Sequence, residues 1–149
     1  MSACRNTSPE PGAATPFGAG VLDYGILFSV PGMRENTAGI RTRMIAAYRR
    51  ESGSAVGALH AAIAADDLSA LRNAAHRLKS ASGALGAMRV FELSRAIEDA
   101  ARGGSNAFDP ISQTVLDLAL QQTFDEFERL NADSPAGSHT SAANPPERR

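Results

Sequence analysis

The sequence predicts an all-α protein, an antiparallel four-helix bundle with a short lid helix at its N-terminal end. Between residues 21 and 131, apolar side chains, many of them Ala and Leu, recur at three- and four-residue steps, which is the spacing of amphipathic helices. The same region contains no alternating β-branched run that would build a sheet. Four such helices joined by short loops bury their apolar faces most simply as an antiparallel bundle.

The first two long helices are delimited by capping residues. The first is predicted from about Thr37 to Ala65, and the second follows a cap at Asp66 or Asp67 and stops at Gly86. The first helix is expected to face the core with Ile40, Met44, Ala47, Tyr48, Val56, Leu59 and Ile63. The second is expected to do so with Leu68, Leu71, Ala75, Leu78, Ser82 and Leu85.

The remaining helices are also marked by local signals. A third helix fits Ala87 to Arg102, because Gly103-Gly104 supplies a stop. A fourth begins at Asp109-Pro110, a side-chain cap followed by the residue best tolerated in the first helical turn. Asp23 to Phe28 is the candidate lid helix. The fourth helix is expected to bury Val115, Leu118, Phe124, Phe127 and Leu130.

Composition restricts the class of protein. The 149 residues, 43% of them hydrophobic, form one modest core, and the Pro-, Gly- and Ser-rich segments 1–20 and 132–149 are predicted to be disordered tails. A net charge of −1 with scattered basic residues gives no electrostatic footprint for nucleic acid or an anionic membrane. No signal peptide or membrane span is predicted. We therefore expect a cytoplasmic monomer that binds other proteins.

Cysteine and histidine usage bears on metal binding. Cys4 is the only cysteine, which excludes an internal disulfide and a thiolate metal cluster. Of the three histidines, His60 is expected at the edge of the bundle and His139 in a tail, so no metal-ligand spacing arises. Neither a metal nor a cofactor is predicted.

The candidate chemistry lies on the second long helix. On a helical wheel, His76 points about 130° away from the mean direction of the apolar face, so its ring is predicted to face solvent. Arg72, Lys79, Ser80 and Gly83 lie at the i−4, i+3, i+4 and i+7 positions, which neighbour it on the helix surface. These five residues are predicted to form one exposed patch.

This patch suits phosphoryl transfer. A neutral imidazole has a free ring nitrogen that attacks phosphorus, and Lys79 and Arg72 would offset the negative charge that arrives. Ser80 and Gly83 keep the surface low, so that a partner can approach. The helix provides no general base, so the catalytic groups would come from the partner. An exposed His with a Lys at i+3 also occurs on helix faces that have no such function.

The segment 66–102 resembles the signature region of bacterial histidine-containing phosphotransfer (HPt) domains. Both have an acidic helix start, a histidine followed at i+3 by lysine, a small residue directly after that lysine, and a Leu-Gly-Ala turn before an apolar repeat ending in Glu. In this chain these features are Ala75-His76, Leu78-Lys79, Leu85-Gly86-Ala87, Val90, Leu93, Ile97 and Glu98. The resemblance extends more loosely over residues 22–131, and Ser80 stands where most relatives have Gly.

The resemblance implies a phosphoryl carrier rather than an enzyme. His76 would accept a phosphoryl group at its distal ring nitrogen from an aspartyl phosphate of a receiver domain, and Lys79 would steady the phosphoryl oxygens. Glu98 stands where relatives often carry a Glu or Gln that hydrogen-bonds the proximal nitrogen; the alternative is an ordinary surface Glu. The implied partners are the receiver domains of response regulators and a sensor or hybrid histidine kinase.

A second hypothesis stays open. The chain could be a binding module of the same fold that docks on a kinase or receiver and regulates it without carrying phosphate. Met88 and Phe91, which lie off the apolar face of the third helix, are then the candidate docking residues. An initiator Met and polar segments at both ends favour a free-standing protein over a fragment of a hybrid kinase.

Overall fold

The computed structural model describes residues 20–133 and is helical throughout that range apart from turns and loops. The predicted all-α fold is confirmed. Of the predicted tails, residues 1–19 and 134–149 lie outside the described residues, whereas residues 132 and 133 belong to the last helix. The described residues form five α-helices, α1 (Tyr24–Ser29), α2 (Ile40–Ala64), α3 (Leu68–Ala84), α4 (Met88–Arg102) and α5 (Pro110–Asp133), and a 3-10 turn, Thr37–Gly39, precedes α2.

Side-chain contacts show that neighbouring long helices run antiparallel. The Tyr48 hydroxyl of α2 lies 2.9 Å from Ser82 Oγ of α3. One turn further along α2, Glu51 accepts a 2.8 Å hydrogen bond from Arg77, which lies earlier in α3. The ring of Tyr48 also meets Phe127 of α5 edge-on, with centroids 6.0 Å apart. Tyr48 therefore joins three helices at the centre of the bundle.

The turn between α2 and α3 is compact because each helix is capped within it. Asp66 adopts a left-handed conformation with φ of 50°, and the Asp67 amide donates to the Ala62 carbonyl at 2.9 Å, which closes the end of α2. Asp67 Oδ1 then accepts from the Ala70 amide at 2.9 Å and begins α3. Of the two predicted caps, Asp67 is the one used.

The turn between α3 and α4 also holds α1. Gly86 has φ of 72°, and the Ala87 amide closes α3 through a 2.9 Å bond to the Ser82 carbonyl. The Gly86 carbonyl accepts from the Asp23 amide at 2.7 Å, and a Cβ at position 86 would lie 2.5 Å from the Asp23 carbonyl oxygen. Only glycine allows this approach. The predicted lid helix is present, with Asp23 as its N-cap and Leu27 fully buried.

The core-facing side of α2 differs from the prediction. Ala47, expected inside, is exposed, and the helix instead buries Arg41, Ile45, Tyr48, Ser52, Ala55, Leu59 and Ala62. The charged residue on this buried face is Arg41, which is 2% exposed. Its guanidinium donates to the carbonyl of Met33 at 3.0 Å, to that of Leu130 at 3.3 Å, and to that of Arg34.

These carbonyls satisfy a buried charge without a carboxylate, and one of them lies near the C-terminal end of α5, where the helix dipole favours a cation. With Arg41 on the buried side, the core-facing side of α2 is rotated relative to the face that the apolar pattern predicted. In α5, Leu118 was likewise expected inside but is 51% exposed, because Leu116, Ala119 and Leu120 fill the core. Within residues 20–133, no helix has both the length and the apolar character needed to cross a membrane.

Candidate functional site

His76 lies in the middle of α3 on the side that faces solvent, where the helical wheel placed it. Its neighbour Ala75 and the residues Leu71 and Leu78 are fully buried, so they fix the orientation of the helix against the bundle. The side chain of His76 is 59% exposed. Another protein therefore has access to the ring.

Glu98 of α4 reaches His76 from the adjacent helix. Its Oε1 atom lies 3.1 Å from His76 Nδ1, yet only 4% of the Glu98 side chain is exposed. An ionised carboxylate only accepts hydrogen bonds, so Nδ1 carries the proton of this bond. In the neutral ring the lone pair is then on Nε2. Glu98 is thus a buried partner of the imidazole and not an ordinary surface glutamate.

Two cations also hold Glu98. Lys79 Nζ lies 2.5 Å from Oε2, and an Arg102 guanidinium nitrogen lies 3.0 Å from Oε1. The Lys79 ammonium holds the pKa of the Glu98 carboxyl below its usual value; burial opposes this shift, and the hydrogen bond from His76 adds to it. Glu98 therefore stays ionised despite its burial, and Lys79 and His76 share one carboxylate.

The other predicted patch residues are distributed around the ring. Arg72 and Ser80 are exposed on α3, and Arg72 forms no ion pair with any residue of the 20–133 segment. Gly83 is half-buried, and a Cβ there would lie 3.2 Å from Phe91 Cδ2. Phe91 and Met88 are half-buried as well. The ring of Phe91 therefore packs α4 against α3 at Gly83, and the role of this glycine in giving a partner access stays a prediction.

Arg102 is the site residue that sequence reasoning missed. It was assigned only to the end of its helix, although it lies at i+4 from Glu98, a spacing that pairs opposite charges on a helix surface. From the sequence alone, Glu98 is compatible with a surface position, where such an i,i+4 charge pair is common and indicates no site. The burial of Glu98 against α3 arises only in the folded chain, and it makes Arg102 part of the site.

An exposed imidazole, oriented by a buried carboxylate on the flank of a helical bundle, is an arrangement suited to a phosphoryl-carrier module. Residues 43–128 match the Hpt domain family, and this match covers more than half of the chain, from within α2 into α5. The chain belongs to the Hpt domain family, whose members carry phosphoryl groups on histidine in two-component signalling. Helix α1 lies outside the match. No curated protein and no solved structure matches the chain.

Proposed function

We propose that this protein is a phosphorelay intermediate that accepts a phosphoryl group on His76 from a receiver-domain aspartate and passes it to a response regulator. The observation that carries the proposal is the pairing of an exposed ring with a buried carboxylate, since Glu98 holds the proton on Nδ1 and leaves Nε2 as the nucleophile. A ring that served only packing would need neither exposure nor a buried acceptor.

The transfer step is a displacement at phosphorus. The Nε2 lone pair of His76 attacks the phosphorus of the aspartyl phosphate, an N–P bond forms, and the bond from phosphorus to the carboxyl oxygen breaks. The aspartate leaves with the electron pair as a free carboxylate. The ring becomes a phosphoimidazolium whose Nδ1 proton stays hydrogen-bonded to Glu98, so the new positive charge faces a carboxylate. The reverse step delivers the group to the second receiver.

The neighbouring side chains are assigned to supporting roles. Lys79 and Arg72 lie one turn on either side of His76 and would neutralise the phosphoryl oxygens. Ser80 is exposed and small, so it leaves room for the rim of the receiver's active site. The receiver would supply the groups that activate the phosphoryl donor.

The test is phosphoryl transfer from a panel of phosphorylated receiver domains. We expect the wild type to gain an acid-labile, alkali-stable phosphate and His76→Gln to gain none. His60→Gln is the matched control, because His60 is an exposed histidine of α2 that touches Phe108 and not the site. This variant should label like the wild type. An unlabelled wild type, or a labelled His76→Gln, would overturn the proposal.

The same experiment addresses the alternative of a binding module that carries no phosphate. In that case a receiver or kinase would bind the wild type and His76→Gln equally well, neither would be labelled, and control of the partner would survive the substitution. Substitution of Met88 or Phe91 by a charged residue would abolish control of the partner. Both side chains are half-buried, so a charged substitution at either position would also disturb packing. The labelling result, which does not depend on these variants, therefore decides between the two functions.

A further inference from the structure

Lys79 is not a free cation beside His76. Its ammonium lies 2.5 Å from Oε2 of Glu98, and the lysine side chain is 24% exposed. Within residues 20–133, the ion pair with Lys79 is the sole polar contact of Oε2. If Lys79 turned to a phosphoryl group on Nε2, it would leave a buried carboxylate oxygen unpaired. That exchange is unfavourable unless another cation keeps the charge of Glu98 neutralised.

Arg102 is placed to do this. Its guanidinium lies 3.0 Å from Oε1, the other oxygen of the same carboxylate, and the arginine side chain is 59% exposed. It also contacts Asp99 Oδ1 at 3.4 Å, which orients it along the surface of α4. Arginine and lysine therefore bind opposite oxygens of Glu98, so Arg102 still provides a cation to the carboxylate when Lys79 leaves Oε2.

We propose that Arg102 is a positioning residue that frees Lys79 for the phosphoryl group by retaining the charge of Glu98. Before transfer, Lys79 and Arg102 share the carboxylate. When the phosphoryl group arrives, Lys79 moves to its oxygens, while Arg102 and the Nδ1–H of His76 stay on Oε1. No covalent bond changes in this step, which is an exchange of ion-pair partners. The inference rests on the proposed function, because it assigns the work of one residue within that phosphotransfer.

A double-mutant cycle tests the exchange. The measured quantity is the equilibrium constant for phosphoryl transfer between a receiver aspartate and His76, in the wild type, Arg102→Gln, Glu98→Gln and the double variant. In the wild-type background, Arg102→Gln should shift the equilibrium toward the receiver on the order of fivefold, and the effect should weaken at high salt. In the Glu98→Gln background it should have no effect, since no carboxylate holds Lys79 back.

Two further variants keep the result interpretable. Arg95→Gln removes an arginine of the same helix with matched exposure, 58% against 59%, whose contacts are Glu92 and Asp99 and not Glu98, so it should leave the equilibrium unchanged. Arg102→Lys keeps a cation at this position, so its equilibrium constant should stay close to that of the wild type. If Glu98→Gln does not fold, Lys79→Met serves as the second background, because there is then no lysine to release and Arg102→Gln should again be silent.

Equal shifts in both backgrounds, or no shift in the wild-type background, would overturn the role of Arg102. The first outcome would mean that Arg102 acts through general surface charge or helix stability. If the wild type accepts a phosphoryl group and Arg102→Gln has the same equilibrium constant, the role of Arg102 is refuted and the proposed function stands. A wild type that accepts none from any receiver removes the proposed function, and the inference with it.

Discussion

Glu98 Oε1 accepts a hydrogen bond from His76 Nδ1 across the α3–α4 interface at 3.1 Å, with the carboxylate buried and the ring exposed. The two residues are 22 positions apart in the chain, and the antiparallel packing of their helices brings them together. The buried member is held by the bundle, so it orients the exposed one. The chemistry of the imidazole therefore depends on a residue that a docking partner does not need to touch.

Replacing Glu98 should impair phosphotransfer without abolishing the nucleophile. Glu98→Ala removes the acceptor for Nδ1–H, so the proton is no longer held on that nitrogen, and we expect the rate of transfer to His76 to fall on the order of 10- to 100-fold. Glu98→Gln keeps an amide oxygen that accepts the same bond and should lose less. Rapid-quench measurements with a phosphorylated receiver give the rates, and Glu92→Ala, an exposed substitution on the same helix, is the control. An Ala variant as fast as the wild type would contradict the orienting role.

The lowered pKa of Glu98 predicts an acid-sensitive contribution to stability. A carboxyl whose pKa is lower in the folded state than in the unfolded chain stabilises the fold above the unfolded pKa, about 4.3, and this contribution is lost as the pH falls below that value toward the folded pKa. The difference in unfolding free energy between the wild type and Glu98→Gln should thus be constant above about pH 5 and shift against the wild type below about pH 4. Urea titrations across this range measure it. A difference that stays constant down to pH 3 would contradict the shift.

The sequence predicted helix limits well and helix faces unevenly. Asp67, Gly86 and Gly104 end or begin helices through hydrogen bonds to residues within the same turn. Their capping signals are therefore local and can be recognised in the sequence. The burial of Arg41 and Glu98 could not be predicted from the sequence, because each charged group is satisfied by partners that only the folded chain brings near. Alanine-rich helices compound this problem, since many rotations of such a helix present a similar apolar face.

A comparison of two glycines in equivalent turns distinguishes the cost of backbone strain from the cost of losing the contact with α1. Gly86 and Gly104 both have a left-handed conformation after a helix, with φ of 72° and 83°, but a Cβ at Gly104 meets nothing within 4 Å. Gly104→Ala should therefore cost only the strain, about 1 kcal/mol. Gly86→Ala adds a clash with the Asp23 carbonyl and should cost roughly 2–4 kcal/mol.

Urea unfolding of both variants measures the difference between them. Hydrogen exchange should also show that the amides of α1 lose protection in Gly86→Ala and keep it in Gly104→Ala. Equal costs for the two substitutions would mean that the Asp23–Gly86 contact does not hold the lid helix.

Asp66 offers a stabilising substitution. It is exposed and has φ of 50° in the turn that closes α2, a conformation that costs less for glycine than for a residue with a side chain. Asp66→Gly should raise the unfolding free energy by about 0.5–1 kcal/mol. Asp67→Ala, one residue later, removes the cap of α3 and should lower it by about 1 kcal/mol. Chemical denaturation of both variants measures these opposite signs, and a destabilised Asp66→Gly would show that its side chain contributes more than its strain costs.

The two tyrosines predict how the fold responds to alkali. Burial raises the pKa of Tyr48 to about 12, although its hydrogen bond with Ser82 opposes the shift; burial and the hydrogen bond to Glu126 raise the pKa of Tyr24 to about 12. A folded pKa above the unfolded value of about 10 means that the neutral phenols stabilise the fold below pH 10, and that this contribution is lost as the pH rises toward 12. Phenolate absorbance at 295 nm should therefore stay low through pH 10.5 and rise together with the loss of helical circular dichroism. Tyr24→Phe isolates Tyr48, and a phenolate signal near pH 10 in that folded variant would contradict the burial of Tyr48 among α2, α3 and α5.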